Sequence, residues 1–360
     1  MRRIAGLILI FCLLLSGCSS WMNGSYSSVV PHTEPNTQIN SSAESVANYF
    51  QTKSFLTAMI MTGAQSAVYT IRYESLKESI EDLNKAINEV CETNPYAAYA
   101  VQDIRYEIGG SSGKKAVHVQ ISYLPNRVDV KTIRTVKDME EAKEFIAEQL
   151  DACSAGVVFH CSSWGQKDYA QIVADYALQN PQMVIEQPEV TVNLYPENGT
   201  KQIVELKFNY QTSRDSLRTM QSQVALVLES AEQYVDRAAA EAEQFAQLYQ
   251  FLMNRYSSYE IQTSITPAYS LLRHGVGDEK AFAMVYAAMC KKVGLDCRVI
   301  SGTRDGKPWS WNVARTGDVY YHIDLLRSRV DDGLLMITGD KMTGYVWDYS
   351  RYPFAKQKIS

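Results

Sequence analysis

The side chains whose types could do chemistry lie mainly in the C-terminal third of the sequence. Glu279 precedes residues 281–291, which are apolar on nearly every face and therefore predict a buried helix. Asp324 lies in a run, residues 319–325, that is typical of a strand. Two carboxylates about 5 to 10 Å apart could act as acid and base in glycoside hydrolysis. His322 would share one face of that strand with Asp324 and could hydrogen-bond it.

Cysteine is the other residue type that could do chemistry. The sequence has seven cysteines, and Cys12 and Cys18 lie close to the N-terminus. The odd number that remains leaves at least one free thiol in a monomer. Two pairs are close in sequence, but neither has histidines at zinc-site spacing, so no metal site is predicted. We favour buried free thiols, although the disulfide pattern stays open, for Cys91, Cys153, Cys161, Cys290 and Cys297.

The N-terminus predicts export. Arg2 and Arg3 precede an apolar run at residues 4–15, and small residues lead to Cys18, which is the order of a signal peptide at 1–17. The run has about a dozen residues, whereas a spanning helix needs about 20. Leu-Ser-Gly-Cys resembles a bacterial lipobox. That resemblance implies a lipoprotein whose Cys18 carries diacylglyceryl and palmitate chains and anchors it to the extracytoplasmic side of the cell membrane. The alternative is an ordinary secretory signal.

Composition and charge exclude some classes of partner. The chain of 360 residues has a formal charge of −5, and loss of Arg2 and Arg3 with the signal would make it −7. No basic run or basic amphipathic helix is present, so no nucleic-acid partner is expected, and no cofactor is predicted. Residues 18–42 are rich in Ser, Asn, Pro and Thr, which predicts a disordered tether between the lipid and the folded domains.

Two similar units follow the tether, and we place them at residues 43–150 and 151–235. In the first, an alternating run, a helical pattern, a hairpin and a charged helix at 137–150 follow one another. The second repeats this order, and Tyr123 and Tyr210 end equivalent strands. We therefore predict two β-α-β-β-α repeats in a protein of the α+β class, each a small sheet with helices on one face.

The last domain is placed at residues 236–360. Residues 213–256 favour helix, as one long helix or as two. Gly294 fits the position just after the buried helix. Strands are predicted at 297–300, 310–314 and 319–325.

From Pro267 onward the sequence resembles the transglutaminase-like superfamily, whose fold is papain-like. Several segments match family motifs in order: 268–272 before the nucleophile helix, 277–283 at its start, 289–295 at its exit, 298–302 in the next strand, 309–312 in place of His-Ala-Trp-Asn, and 320–324 in place of Trp-Tyr-x-x-Asp. Residues 345–348 and 352–353 resemble the tail of bacterial members.

The resemblance assigns catalytic roles to three positions, and two of them carry other residues. The family's cysteine, at a helix N-terminus where the dipole favours a thiolate, corresponds to Glu279. The family's histidine corresponds to Trp309, and only the orienting aspartate is retained, as Asp324. Cys290 lies about 16 Å further along the same helix and cannot replace the nucleophile.

Other interpretations of these positions stay open. Glu279 with Asp278 fits a pair of first-turn acids that complement the helix dipole. Trp309 fits a residue that fills the catalytic cleft, and Asp324 fits a buried group bonded to the backbone or to His322. A peptide or glycan groove is the alternative, and its candidate residues are Trp309, Trp311, Tyr321 and His322.

The leading hypothesis is a membrane-anchored lipoprotein with an inactive transglutaminase-like domain. It would act by binding a cell-envelope peptide, glycan or protein, such as a wall polymer or another exported protein. One alternative is a cell-wall hydrolase that uses the carboxylates of Glu279 and Asp324. Others are a divergent active transglutaminase or cysteine-protease-like enzyme, and a structural spacer.

Overall fold

The computed structural model describes the folded part of the chain, at residues 44–110, 114–162, 167–259, 264–330 and 333–355. Cys18, the signal peptide and the tether predicted at 18–42 lie outside the described residues and stay predictions. Within the described ranges, no helix is long and apolar enough to cross a membrane.

The first unit is a four-stranded sheet with two helices on one face. Its elements are β1 (Glu44–Val46), α1 (Tyr49–Met61), β2 (Ser66–Ile71), α2 (Leu76–Thr93), α3 (Pro95–Ala100), β3 (Val101–Gly109) and β4 (Ala116–Tyr123). The strand order is β1-β2-β4-β3, in which β1 and β2 are parallel and the other neighbours are antiparallel. Leu56 of α1, Leu83 of α2 and Val119 of β4 share its core.

The second unit has the same topology. Its elements are β5 (Arg134–Val136), α4 (Met139–Asp151), β6 (Gly156–Ser162), α5 (Tyr169–Gln179), β7 (Glu189–Tyr195) and β8 (Lys201–Asn209). The order β5-β6-β8-β7 again has one parallel pair, β5 with β6, followed by antiparallel pairs. The α+β class and the predicted chain order of strands and helices are confirmed, and each sheet also begins with a short parallel strand and a helix.

The position of α4 corrects the predicted boundary at residue 150. Ile146 and Leu150 of α4 pack against Val157 and Phe159 of β6, in the core of the second sheet. The charged helix assigned to the end of the first repeat therefore belongs with the second sheet. The boundary at 150 divides elements that pack together, because the three-residue strand β5 is too short to show alternation in the sequence.

The C-terminal domain has a helical layer and a second type of sheet. Its elements are α6 (Arg214–Tyr234), α7 (Glu241–Arg255), β9 (Ser257–Ser258), α8 (Pro267–His274), β10 (Val276–Gly277), α9 (Glu279–Lys292), β11 (Cys297–Arg304), β12 (Lys307–Thr316), β13 (Val319–Ile323), α10 (Leu325–Val330) and β14 (Tyr345–Trp347). The helical stretch at 213–256 is thus two helices. Four strands form an antiparallel sheet in the order β13-β12-β11-β14.

Helix α9 is the centre of this domain. Every residue from 281 to 290 is buried, as the apolar pattern predicts. Asp278 caps its start, because its carboxylate accepts the backbone N–H of Ala281 at 2.8 Å. Gly294 follows its end at a φ of 78°, where glycine is favoured. Asn312 of β12 donates to the carbonyl of Ala283 at 2.8 Å, which fixes the helix on the sheet.

A glutamine of the second unit covers the open edge of this sheet. The Gln179 side chain donates to the carbonyl of Val299 at 2.7 Å and accepts its N–H at 2.9 Å, as a neighbouring strand would. Lys291 of α9 also donates to Asn180 at 2.9 Å. The end of α5 therefore holds the second unit against β11 and α9.

Candidate functional site

Asp324 is the centre of a hydrogen-bonded cluster at the end of β13. Its side chain is 5% exposed, and both carboxylate oxygens are occupied. Oδ2 accepts from the Trp309 indole at 2.8 Å, the Arg304 guanidinium at 3.0 Å and the Tyr345 hydroxyl at 2.5 Å. Oδ1 accepts two backbone N–H groups of the first turn of α10, each at 3.1 Å. These donors fix the carboxylate in one orientation.

The register of the sheet brings these partners together. Gly302 of β11 pairs with Trp309 of β12 on one side and with Trp347 of β14 on the other. Arg304 pairs with Tyr345 of β14. A Cβ at Gly302 would lie 2.3 Å from a backbone oxygen of β14, so only glycine lets this strand approach so closely.

Arg304 also lies against the two aromatic partners of Asp324. Its guanidinium carbon is 5.1 Å from the centre of the Trp309 ring and 5.5 Å from that of Tyr345. Such contacts add cation–π attraction to the ion pair. The sequence predicts neither Arg304 nor Tyr345 as a partner of Asp324. One family-like segment, 298–302, ends two residues before Arg304, and another, 345–348, begins at Tyr345, but neither indicates a contact with Asp324.

Trp309 stands where the resemblance places the histidine, and it keeps one part of that residue's role. Its indole N–H bonds the aspartate, as a histidine ring N–H would in a catalytic triad. An indole nitrogen is a donor only, so it cannot take a proton from a nucleophile. Trp309 is half-buried. The cluster therefore holds the geometry of an orienting pair without a base.

Glu279 is the first residue of α9 and is also half-buried. Burial raises the pKa of its carboxyl group, and the negative charges of Asp278 and Asp324 raise it further. Glu279 and Asp324 are therefore close enough to interact electrostatically. Of the two predicted first-turn acids, Asp278 caps the helix, whereas Glu279 only adds a carboxyl group to its first turn.

His322 does not bond Asp324, which corrects one of the two partners considered for the aspartate. Strand β13 ends at Ile323, so Asp324 already belongs to the turn into α10 and the two side chains diverge. His322 Nδ1 instead accepts from the Trp311 indole at 2.9 Å, and Nε2 lies 3.3 Å from the carbonyl of Ala355. Burial lowers the pKa of His322 to about 4, so the ring is neutral near pH 7.

The four residues predicted for a binding groove separate into two pairs. Trp311 and His322 are each 1% exposed and lie in an aromatic core with Trp347. A ligand at the surface would not reach them without opening that core. Trp309 and Tyr321 are half-exposed and stay candidates for ligand contact.

The cysteines of the described residues offer no obvious substitute nucleophile. All five are free, and all except Cys91 are buried. Cys290 lies in the core of α9, where burial raises the pKa of its thiol well above its usual value and so disfavours the reactive thiolate. Among the residues that the structure describes, no group of three His, Cys, Asp or Glu side chains could hold a metal ion.

Comparison with known proteins gives a family for the C-terminal region. The model of the transglutaminase-like superfamily matches residues 229–347. A TGase structure is 10% identical with a TM-score of 0.27, over 54% of this chain and 59% of the TGase. This chain therefore spans only about three fifths of the length of that protein. No curated protein matches the chain.

Two further solved structures resemble the chain at low identity. An inferred cysteine protease from Cytophaga hutchinsonii is 12% identical with a TM-score of 0.27, over 45% of this chain and 68% of that protein. An inferred protease from Parabacteroides distasonis is 11% identical with a TM-score of 0.24, over 72% of this chain and 40% of that protein.

The matched residues contain the whole cluster around Asp324, together with α9 and the four-stranded sheet. They begin at Glu229, earlier than the resemblance predicted from sequence, and so add α7 and the end of α6 to the domain. The C-terminal region of this chain is therefore a transglutaminase-like domain.

Proposed function

We propose that this protein is a lipid-anchored, extracytoplasmic lipoprotein whose transglutaminase-like domain binds a cell-envelope peptide, glycan or protein without acyl-transfer chemistry. The observation that carries the non-catalytic part is the bond from the Trp309 indole to Asp324. An aspartate that orients a tryptophan cannot support proton transfer, because the indole has no basic nitrogen.

The residue at the nucleophile position supports the same conclusion. Acyl transfer of this family type needs a thiolate that attacks the amide carbonyl, expels the amine and holds the acyl group as a thioester. Glu279 has a carboxyl group and no thiol, so it cannot form that thioester. The buried Cys290 thiol belongs to the helix core and not to this surface.

The half-exposed face of Trp309 is the surface that we propose for binding. Arg304 lies against its ring and supplies a cation beside the aromatic surface. Tyr349, on the segment after β14, is 50% exposed and packs against Trp347, whose strand lies beside β11. Aromatic rings with a few polar groups at their edges are typical of sites that bind peptides and sugars.

Crosslinking in the native envelope, followed by pull-down, tests the binding proposal. Wild-type protein should recover a specific envelope component, and Trp309→Ala should reduce its recovery about tenfold, as loss of a central aromatic contact does. Val319→Ala is the matched control, because Val319 is exposed at the far end of β13. Equal recovery by wild type and Trp309→Ala would remove this face as the binding surface.

The anchor is tested separately. Cys18→Ala should move the protein from the membrane fraction to the soluble fraction and abolish incorporation of labelled palmitate, because the acyl chains provide the membrane affinity. A protein that stays membrane-bound after this substitution would contradict lipidation at Cys18.

A second candidate function is favoured by the raised pKa of Glu279, which is a property of a general acid in glycoside hydrolysis. Against it, Asp324 is bonded to Arg304 and is not free to attack a sugar or activate water. If wall hydrolysis occurs and disappears in Glu279→Gln, the protein is a hydrolase. If Glu279→Gln leaves any measured hydrolysis unchanged, a hydrolase that uses Glu279 is excluded.

A further inference from the structure

A cavity of about 230 Å³ lies where the second unit meets the transglutaminase-like domain. Its walls come from the end of α5, the segment 184–187, and the starts of α8 and α9. It is smaller than the roughly 300–1,000 Å³ of pockets that hold drug-sized ligands. The cavity lies apart from the Asp324 cluster, whose residues do not line it.

Glu186 supplies a buried negative charge to this cavity. The residue is 3% exposed, and its two oxygens accept the backbone N–H groups of Gln211 at 2.5 Å and Thr212 at 3.0 Å. It forms no ion pair with any described residue. Buried carboxylates are normally paired with a cation. A carboxylate has about four lone-pair sites, so two donors leave acceptor capacity for a ligand.

Lys280 supplies a positive charge to the same cavity. It is the second residue of α9, it is half-buried, and in the described part of the chain it too lacks an ion-pair partner. Leu178, Ile185 and Met284 also line the cavity and are buried, and polar residues line the rest of it, at Gln187, Gln211 and Ser264. The cavity thus offers an anion, a cation and a small apolar wall.

We infer that this cavity binds a small zwitterion with a short apolar side chain, which is the chemistry of a free α-amino acid. The ligand's ammonium group pairs with Glu186, its carboxylate pairs with Lys280, and its side chain contacts Leu178 and Met284. Binding gives Glu186 a direct ion pair, which it does not form with any described residue. The inference does not depend on whether the transglutaminase-like domain is catalytic or on what Trp309 binds.

Calorimetry on the purified full-length protein tests this inference, with alanine and leucine as probes. Each should bind saturably, whereas propylamine and propionate, which carry only one of the two charges, should bind about tenfold more weakly or not at all. Glu186→Gln and Lys280→Gln should each weaken amino-acid binding by about tenfold or more. Glu140→Gln and Lys143→Gln are matched controls, because these residues form an exposed ion pair elsewhere.

The variants also give clear negative outcomes. Glu186→Gln keeps the shape of the side chain, and circular dichroism will show whether it folds. If it does not, Lys280→Gln on the rim gives the same readout without touching a buried group. Absence of saturable binding by the wild type would overturn the inference. An unchanged affinity of Lys280→Gln for the amino acids would also overturn it. If the wild type binds no amino acid and Lys280→Gln is less stable than wild type, Lys280 is an internal partner of Glu186 and the inference is wrong.

Discussion

Two buried carboxylates in this molecule are held in almost the same way. Both carboxylate oxygens of Glu205 on β8 accept hydrogen bonds from the Arg127 guanidinium, each at 2.9 Å. The guanidinium carbon lies 4.7 Å from the ring centre of Tyr99 and 4.8 Å from that of Tyr195. Asp324 is likewise bonded to an arginine that lies over two aromatic rings. The first cluster joins the two sheet units, because Tyr99 belongs to α3 of the first and Glu205 to the second.

The difference between the clusters lies in their surroundings. Glu205 is in the middle of a strand, and its Arg127 connects one unit to the next. Asp324 is at a strand end, also bonds the first turn of α10, and has Glu279 nearby with a raised pKa. The comparison indicates that the position which the family uses for catalysis is built here like a structural joint, with one residual acidic group beside it.

The largest expected effect is that of removing Asp324. Asp324→Ala should lower the free energy of unfolding by about 3–5 kcal/mol, because it removes the buried partner of Arg304 and leaves several donors unsatisfied. Urea denaturation measures it. Asp318→Ala, at an exposed turn carboxylate, is the control. A loss below about 1 kcal/mol would mean a hydrated, open site, and would break the likeness to the Glu205 cluster.

Removal of Arg127 should have a somewhat smaller effect. Arg127→Ala removes the nearest counter-charge of the buried Glu205 carboxylate and two cation–π contacts, so we expect a loss of about 3 kcal/mol. It should also make the connection between the sheet units sensitive to protease, since this cluster joins them. Arg105→Ala breaks a solvent-exposed pair and should change stability by less than about 0.5 kcal/mol. If Arg127→Ala and Arg105→Ala lower the free energy of unfolding equally, the Arg127 cluster does not hold the two sheet units together.

Acid should act on the transglutaminase-like domain through His322. The pKa of His322 is about 4 in the folded protein and has its ordinary value of 6.5 in the unfolded chain. Between these pH values the unfolded chain therefore binds the proton more readily. Stability is therefore fully present above pH 6.5 and falls as the pH decreases toward 4, by about 3 kcal/mol at most from this group. Unfolding free energy measured against pH should lose this slope in His322→Gln. A wild-type slope that persists in the variant would assign the effect to other groups.

The smallest effect separates hydrogen bonding from packing at Trp309. Trp309→Phe keeps an aromatic ring against Arg304 but removes one of the donors to Asp324, so we expect a loss of about 1 kcal/mol. Thermal denaturation measures it beside Trp309→Ala, which removes the ring as well. If Trp309→Phe is as stable as wild type, the indole bond does not hold the aspartate in place.

The sequence predicts the elements of the site better than its contacts. The apolar pattern gives α9, Gly294 gives its end, and the family-like order of motifs places Glu279, Trp309 and Asp324 near one another. The partners Arg304 and Tyr345 lie 20 and 21 residues from Asp324, and only the strand register brings them together.

Short elements explain the other differences between the sequence predictions and the structure. A three-residue strand such as β5 has no periodicity, so the sequence does not show where the second sheet begins. The strand before Asp324 ends at Ile323, two residues earlier than predicted, so Asp324 lies in the following turn and His322 bonds Trp311 instead.

The most direct test of the account is an acyl-transfer assay on the purified wild-type protein. It measures incorporation of a labelled primary amine into glutamine-containing protein, and cleavage of peptides, with and without a thiol-alkylating reagent. We predict no turnover above the buffer blank in either condition, because Glu279 and Trp309 cannot form or resolve a thioester. Turnover that alkylation abolishes, and that Cys290→Ser also abolishes, would contradict it.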